Sequence, residues 1–349
     1  MATSSSVGAL AFVLLVSILL AVVPSPTLSI SLNPTQVAGG PILSPDFYKD
    51  TCPQLEDIVR RAVQAAFSGD TSIAAGLLRI HYHDCITQGC DASLLLKGKN
   101  SEQLVNVNEN LHVGAMQLIE RIHAEAQRQC GPTVSCADIT ALAAREGVVA
   151  TGGPAYAVNL GQLDSLAPAT YKEVRDLPGS WHSNYSKLIG EFSHMKFNDA
   201  ELVALSGAHT LGSATCLAFY DRFRQWDNAF TEKIGKECER DSRWKHGLDS
   251  TPKRFDNQYY VGLLNGHGVL TSDRALVHDN RSLPFVQIFA RDQQKFFDAF
   301  GKAMRHLSSL RKHPDGEVRN ISCFVPNSSR RHRDLTRTDG DPEGHAASA

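Results

Sequence analysis

Apolar residues recur with the spacing of an α-helix through most of the chain. Ile73, Leu77 and Ile80 stand at positions i, i+4 and i+7, which predicts a helix with one buried face. Two further helices are predicted to begin at Ser135 and Asn198, because each is followed three residues later by an acidic residue at capping-box spacing. The pattern therefore indicates a mostly α-helical protein.

The remaining pattern sets the limits of the folded part. Phe285–Leu307 is rich in apolar residues and contains no proline, so it fits one or two long helices. Alternation typical of a strand is scarce, and the short stretch Tyr156–Leu160 is the best candidate. Residues 328–349 carry many charges and almost no large apolar side chain, which predicts a disordered tail. The globular part is expected over 43–327.

The first 45 residues contain no Asp, Glu, Lys or Arg. Within them, residues 9–23 are apolar apart from Ser17, and a helix of about 15 residues spans only ~23 Å, against a ~30 Å membrane core. Two prolines and the small residues Thr27 and Ser29 follow. The pattern predicts a cleaved secretory signal peptide over 1–29, with an uncleaved membrane anchor as the alternative.

Composition excludes some functions. The chain has 349 residues, with 35 basic and 37 acidic side chains, so it has no basic excess with which to bind nucleic acid. Its eight cysteines all follow the predicted signal peptide, which indicates a disulfide framework, although eight cysteines permit 105 pairings. No Cys-x-x-Cys pair is present, which argues against a zinc knuckle. Sequons at Asn184, Asn280, Asn320 and Asn327 agree with export.

The first candidate for chemistry is the pair Arg79 and His83. On a helix these residues stand at i and i+4, so their side chains share a face. A permanent cation lowers the pKa of a neighbouring imidazole and keeps it neutral, as a general base must be, and it stabilises negative charge on a substrate. The pair alone favours the alternative, a surface arginine that happens to lie near a core histidine.

Oxygen-bearing residues follow at almost every second position. This spacing suits a hard cation such as calcium, and Cys85 and Cys90 stand inside the same loop. The alternative is an acidic, disulfide-closed loop without an ion. The candidate ligands are Asp84, Thr87, Gly89, Asp91 and Ser93.

A second histidine, His209, ends an apolar helical stretch, where a neutral imidazole can ligate iron. Asp273 is a candidate to orient it from behind. The alternative is an ordinary core histidine. A zinc hydrolase using His81, His83 and Asp84 is a weaker hypothesis, because residues at i and i+2 face apart on a helix.

Taken together, the motifs resemble those of the secreted plant peroxidases, the class III haem peroxidases, over 43–327. The resemblance includes all eight cysteines in order. It is carried by Phe47-Tyr48-Lys49-Asp50-Thr51-Cys52-Pro53, Leu78-Arg79-Ile80-His81-Tyr82-His83-Asp84-Cys85, Val134-Ser135-Cys136-Ala137-Asp138, Leu205-Ser206-Gly207-Ala208-His209-Thr210-Leu211-Gly212 and Phe255-Asp256-Asn257-Gln258-Tyr259-Tyr260.

The resemblance implies an all-α, two-domain haem peroxidase fold, with haem b between a distal half (about 43–165) and a proximal half (about 166–327). It implies that His83 moves the proton of hydrogen peroxide while Arg79 stabilises charge, and that Asn108 keeps His83 basic. His209 would bind the iron, with Asp273 accepting its other N–H.

The family pattern also implies two calcium ions. The distal ion would take the five residues of the acidic loop and, through water, Glu102. The proximal ion would take Thr210, Asp249, Thr251, the Arg254 carbonyl and Asp256. The implied disulfides are Cys52–Cys130, Cys85–Cys90, Cys136–Cys323 and Cys216–Cys238.

The implied function is reduction of hydrogen peroxide coupled to one-electron oxidation of small phenolic donors, as in cell-wall, lignin and oxidative-stress chemistry. Pro178 matches a position associated with donor binding. The protein would be a monomer without nucleic-acid or membrane partners after signal cleavage, secreted to the cell wall or sent to the vacuole.

Three departures from the family pattern stand out. Tyr82 replaces a usual Phe, Gln162-Leu163 replaces Arg-Arg, and Asp249 lies one residue closer than usual to Thr251. The first of the missing arginines would pair with Asp138, and losing one partner of a buried ion pair costs ~3–5 kcal/mol unless it is compensated. Tyr82 and the Gln162-Leu163 segment support a rival hypothesis, a protein with this fold that binds the cell wall and has weak or no turnover.

Overall fold

Helices account for most of the structure, a computed structural model that describes residues 41–181, 184–223, 228–312 and 315–328. In chain order, the α-helices of this part are α1 (Leu55–Gly69), α2 (Ile73–Gln88), α3 (Val113–Cys130), α4 (Cys136–Ala150), α5 (Tyr171–Arg175), α6 (Tyr185–Ser193), α7 (Asp199–Ser206), α8 (Tyr220–Phe223), α9 (Ala229–Arg240), α10 (Gln258–Leu264), α11 (Thr271–Ala275), α12 (Leu283–Arg291) and α13 (Gln293–Leu307).

Short elements connect these helices. Two three-residue strands, β1 (Ser213–Thr215) and β2 (Lys245–Gly247), pair antiparallel with Ser213 opposite Gly247. A 3₁₀ turn over Gly207–Thr210 continues directly from α7. The predicted signal peptide (1–29) lies outside the described residues, as does the predicted tail beyond Ser328.

The capping signals in the sequence mark real helix starts. At α7, the Asn198 side chain accepts the Glu201 N–H, and the Glu201 carboxylate accepts the Asn198 N–H. At α4, Ser135 Oγ accepts the N–H of Asp138. Each contact satisfies an N–H group that the helix itself leaves without a partner. The predicted helices at 73 and 135 are confirmed as α2 and α4, and the helix after Asn198 as α7.

Two segments show how tertiary contacts shape the pattern. Phe285–Leu307 lies on two helices, α12 and α13, separated at Asp292, whose extended backbone ends one helix and whose side chain caps the next. The strand predicted over Tyr156–Leu160 is wrong. Its side chains alternate in burial, but a single bridge from Leu160 to Ser44 is the only strand-type pairing that the described residues give it.

Two groups of helices contribute to one continuous buried core. Helices α1 to α4 pack against one another, and α7, α10, α12 and α13 form a second group. In the second group the rings of Phe255, Tyr260, Phe296 and Phe300 pack edge to face or stacked, with centroids 4.8–5.8 Å apart. Such aromatic packing buries large apolar areas and fixes ring positions. No helix among the described residues is long and apolar enough to span a membrane.

Four disulfides cross-link the described part of the chain, over separations from 5 to 187 residues. The pairs are those implied by the family resemblance, so this prediction is confirmed. They are Cys52–Cys130, Cys85–Cys90, Cys136–Cys323 and Cys216–Cys238.

The segment after α13 supplies a charge that Gln162 lacks. The Arg311 guanidinium donates to Gln162 Oε1 at 3.0 Å, to the Gly161 carbonyl at 2.9 Å and to the Pro41 carbonyl at 3.0 Å. The negative charge of Asp138 favours the ionised form of Arg311, although burial lowers the Arg311 pKa. Arg311 therefore supplies a cation near Asp138. In the family pattern that cation is the arginine at position 162.

Candidate active site

The catalytic base predicted on α2 lies in a defined hydrogen-bond network. His83 Nδ1 is 2.7 Å from Asn108 Oδ1, and because an amide oxygen only accepts, Nδ1 must carry the proton. His83 Nε2 then presents its lone pair, which faces the Arg79 Nε–H at 3.3 Å. The structure brings all three predicted catalytic residues together.

Burial and charge set the protonation of this histidine. Burial first, and then the charge of Arg79, lower the pKa of His83 to about 3, against the opposing effect of the hydrogen bond that His83 donates to Asn108. Arg79 is itself held by the carbonyls of Val107, Glu109 and Asn110, at 3.1–3.4 Å. At neutral pH the site therefore contains a neutral imidazole beside a fixed cation, as the i, i+4 spacing predicted.

The predicted distal calcium loop folds around the Asp84 carboxylate, which accepts the backbone N–H groups of Asp91, Ala92 and Leu94 at 2.9–3.3 Å. Gly89 begins the loop with a φ of 100°, and a Cβ there would lie 2.9 Å from the backbone nitrogen of Lys312. Only glycine combines this backbone conformation with so close a neighbour.

The oxygen atoms of this loop fit a cation. Among the described residues, the buried atoms Ser93 Oγ and Glu102 Oε2 make no hydrogen bond of ordinary length and angle, although the Ser93 side chain lies close enough to Asp91 and Glu102 to lower the pKa of both carboxyls. Burial and the neighbouring carboxylates raise the pKa of Asp84, and burial raises the pKa of Asp91 to about 7. Orphaned buried oxygens and crowded carboxylates are unfavourable alone, but they are the ligands that calcium prefers.

The loop is joined directly to the base. Asn108 Nδ2 donates to the Glu102 carbonyl at 2.9 Å, and Thr87 Oγ1 donates to the His83 carbonyl at 2.7 Å. The residue that orients His83 is therefore itself held by the segment that would hold the ion.

The proximal histidine projects from the 3₁₀ turn after α7. His209 Nδ1 is 2.7 Å from Asp273 Oδ1. Burial disfavours a charged His209, but the charge and hydrogen bond of Asp273 outweigh burial and raise the pKa of this imidazole. Gly207 allows the turn to pack closely, because a Cβ there would lie 2.3 Å from the Tyr260 hydroxyl. Since Nδ1 is held by Asp273, Nε2 is the nitrogen oriented for a metal.

The predicted proximal calcium ligands also converge. Thr210 Oγ1 lies 2.6 Å from Asp249 Oδ2 and 3.4 Å from both the Arg254 carbonyl and Asp256 Oδ1. Thr251 Oγ1 lies 3.0 Å from Asp256 Oδ1. Burial, together with the charge of Asp256, raises the pKa of Asp249 to about 6. Despite its unusual spacing, Asp249 therefore lies with the other four.

Known proteins are similar to most of this chain. A family profile described as peroxidase matches residues 59–292. The chain is 41% identical over 299 residues to Peroxidase 12 of Arabidopsis thaliana, which covers 82% of this chain and 83% of that protein. This chain belongs to the peroxidase family. It is also 39% identical to Cationic peroxidase SPC4 of Sorghum bicolor, with 85% of each chain covered, and 38% identical to Peroxidase 66 of Zea mays, with 82% of this chain and 91% of that protein covered.

Sequence reasoning missed a contact of this peroxidase. The Tyr259 hydroxyl donates to Asp273 Oδ1 at 2.9 Å, so the carboxylate that holds His209 has a second side-chain partner. The motif Phe255–Tyr260 was the available signal, but spacing along the chain cannot show that Tyr259 and Asp273 meet.

Other candidates stay outside the two histidine networks. Pro178 lies half-buried between α5 and α6 in the chain, and its role stays a prediction.

His81 is buried, and one of its ring nitrogens, Nδ1, lies 3.5 Å from Cys85 Sγ. The metal-type clusters of the described residues consist of His81 or His123 with cysteines that form disulfides, so a zinc site has no support there. Tyr82 packs beside the ring of Phe192 with centroids 6.4 Å apart.

Proposed function

We propose that this peroxidase is a secreted, haem-dependent enzyme that reduces hydrogen peroxide and oxidises small phenolic donors one electron at a time. The carrying observation is the network of His83, Asn108 and Arg79, which holds a neutral base beside a fixed cation. Over one turnover, hydrogen peroxide and two phenols would yield two waters and two phenoxyl radicals, so atoms and electrons balance.

His209 is the residue proposed to hold haem b. Its Nδ1 is committed to Asp273, and this arrangement fixes the ring and makes Nε2 a more basic ligand. Haem iron, when bound there, supplies the redox centre for the reaction.

The proton steps belong to this chain's own residues. His83 Nε2 accepts the proton of the attacking peroxide oxygen and returns it to the departing oxygen. Arg79 stabilises the negative charge that develops on the departing oxygen. Asn108 keeps the Nδ1–H tautomer, so Nε2 stays available.

Two calcium ions complete the proposed cofactor set. The distal ion would be held by Asp84, Thr87, Gly89, Asp91 and Ser93, with Glu102 acting through water, and the proximal ion by Thr210, Asp249, Thr251, Arg254 and Asp256. The support is the chemistry of these sets. At the proximal set, the partly buried Asp249 and the buried Asp256 lie beside the hydroxyls of Thr210 and Thr251. Within the described part of the chain, the cation paired with Asp256 is the exposed Arg254.

The wider proposals rest on the family. We propose a distal half over 43–165 and a proximal half over 166–327, a signal peptide over 1–29, delivery to the cell wall or vacuole, and a monomeric enzyme whose phenolic donors bind near Pro178. Most contacts between these helices fall within α1–α4 or within α7, α10, α12 and α13, which supports the two halves.

The rival hypothesis of a binding protein loses its main support. Arg311 brings a guanidinium to the cluster that Gln162 leaves without one. Tyr82 leaves His83, Arg79 and Asn108 in hydrogen-bond contact.

The test is a comparison of two histidine variants of the mature chain, expressed with haem and calcium. In the wild type, one equivalent of hydrogen peroxide should shift the Soret band, and a phenol should return it stepwise. His83→Leu should bind haem but react with peroxide ~10²–10⁴-fold more slowly. His81→Leu, a buried histidine two residues away, is the control and should react at the wild-type rate. Wild-type kinetics in His83→Leu would refute the assigned role.

A further inference from the structure

Asp273 accepts three hydrogen bonds in a buried site. The His209 Nδ1–H and the Tyr259 hydroxyl both donate to Oδ1, at 2.7 and 2.9 Å, and the Leu270 N–H donates to Oδ2 at 3.1 Å. Asp273 is 1% exposed and Tyr259 is 2% exposed. Both side-chain donors thus compete for one carboxylate oxygen from which water is excluded.

Tyr259 also packs directly against the histidine. The two rings meet edge to face, with centroids 5.9 Å apart. A loss of the hydroxyl alone would leave this packing in place, so the hydrogen bond and the packing can be separated by a single substitution.

We propose that Tyr259 is a positioning residue that weakens the pull of Asp273 on the His209 proton and thereby raises the reduction potential of the iron held by His209. The inference rests on the proposed role of His209 as the iron ligand. Tyr259 would thus adjust the strength of the hydrogen bond between His209 and Asp273, which those two residues cannot do by themselves.

The physical reason is the sharing of one acceptor. An oxygen that accepts two hydrogen bonds disperses its charge over both, so each donor is held less strongly than it would be alone. A weaker bond leaves the Nδ1 proton more firmly on the imidazole, and a less anionic imidazole donates less electron density to a metal at Nε2. When the imidazole donates less electron density to the iron, the ferric state is less stabilised, and the ferric/ferrous potential rises.

The next residue provides a matched control. Tyr260 lies on the same helix, α10, and is fully buried, but its hydroxyl donates to the Val203 carbonyl at 2.9 Å rather than to Asp273. It also packs near Gly207, in the turn that carries His209. Tyr260→Phe therefore disturbs the same region by the same loss of one hydroxyl.

The experiment compares Tyr259→Phe, Tyr260→Phe and wild type as enzymes loaded with haem and calcium. The readouts are the iron–histidine stretching band of the ferrous form, by resonance Raman, and the ferric/ferrous potential, by spectroelectrochemistry. Tyr259→Phe should move the band to higher frequency and the potential to more negative values, while Tyr260→Phe should leave both at the wild-type position. Unchanged values in Tyr259→Phe, or equal shifts in both variants, overturn the inference.

Two further samples separate the possible failures. His209→Ala should abolish the iron–histidine band, and a band that persists would refute His209 as the ligand rather than the role of Tyr259. If Tyr259→Phe gives no folded holoenzyme, 3-fluorotyrosine can replace every tyrosine in the Tyr260→Phe variant. Its more acidic hydroxyl donates more strongly, so the band must move to lower frequency, and an unmoved band overturns the inference.

Discussion

A single buried carboxylate, Asp138, shows how one residue depends on its surroundings. It accepts hydrogen bonds from the Tyr48 hydroxyl at 2.7 Å and from the N–H groups of Gly161 and Gln162 at 2.7 and 3.2 Å. Burial nevertheless outweighs these bonds and raises the pKa of Asp138 to about 7. Arg311 compensates only in part for an arginine at position 162.

This pKa has a consequence for stability. Between the ordinary pKa of 3.8 and the folded pKa of about 7, the native state binds more protons at Asp138 than the unfolded chain does. Its contribution to stability therefore falls as pH rises through that window. Asp138→Asn should remove this slope, so the variant should gain stability relative to wild type between pH 5 and pH 8.

The measurement is the denaturant unfolding midpoint of each protein at the two pH values, in saturating calcium so that the calcium ligands stay ionised. Asp50→Asn, at an exposed position, is the control. A difference between Asp138→Asn and wild type that is the same at both pH values would contradict the prediction.

At the scale of elements, the segment that follows α13 decides how the region around α4 is closed. Gln162 Nε2 donates to the carbonyls of Ser308 and Leu310, and Arg311 donates back to Gln162 and Gly161. These hydrogen bonds, donated in both directions, join the end of α13 to the extended chain near residue 160. Gln162 and Arg311, from two separate segments, thus take the place of the single arginine that the family pattern has at position 162.

Removal of the Arg311 guanidinium should weaken the contact between the segment after α13 and the chain near residue 160. Arg311→Gln leaves the carbonyls of Gly161 and Pro41 without a charged donor, and we expect a loss of about 2–4 kcal/mol in the free energy of unfolding. The double variant Arg311→Gln/Gln162→Arg returns a cation to the cluster and should recover most of the loss. Denaturant unfolding measures both effects.

The matched control is Arg305→Gln, an exposed arginine on α13 that donates to Asn159 Oδ1. It should cost less than about 0.5 kcal/mol. Equal losses of stability in Arg311→Gln and Arg305→Gln would contradict the proposed contribution of the partly buried Arg311 contacts.

At the scale of the whole molecule, the two proposed calcium sites and the two histidines form connected systems. On the distal side, Asn108 links His83 to Glu102. On the proximal side, Thr210 follows His209 directly in the chain and shares its hydroxyl with Asp249. Each proposed ion would therefore stabilise the segment that orients one of the two histidines proposed for the active site.

Removal of calcium should accordingly reduce both stability and turnover. Without the ions, the repelling carboxylates of each site push their loops apart. When free calcium is at 100 times the dissociation constant of a site, its binding adds about 2.7 kcal/mol to the free energy of unfolding. Removal of the calcium should therefore lower the melting temperature by about 5–10 °C. Chelation followed by metal analysis, thermal unfolding and peroxide turnover tests this, and added calcium should restore both. Unchanged behaviour of a protein shown to be metal-free would argue against both sites.

The sequence alone determined what local chemistry fixes. Capping pairs at Ser135 and Asn198 marked helix starts because cap hydrogen bonds join residues three apart. The i, i+4 spacing placed Arg79 beside His83 because helix geometry is regular. The resemblance to a known family added the long-range pairs, among them His209 with Asp273 and the four disulfides.

Only the tertiary structure decided contacts between segments far apart in the chain. It showed that Arg311, 149 residues away, compensates in part for the missing charge at Gln162, and that Tyr259 shares the Asp273 oxygen with His209. It also showed that Tyr156–Leu160, despite its alternation, is not a strand, because a strand requires neighbouring backbone to pair with along its length. Local spacing constrains a residue's neighbours within a few positions, whereas partners across the fold depend on how all the helices pack.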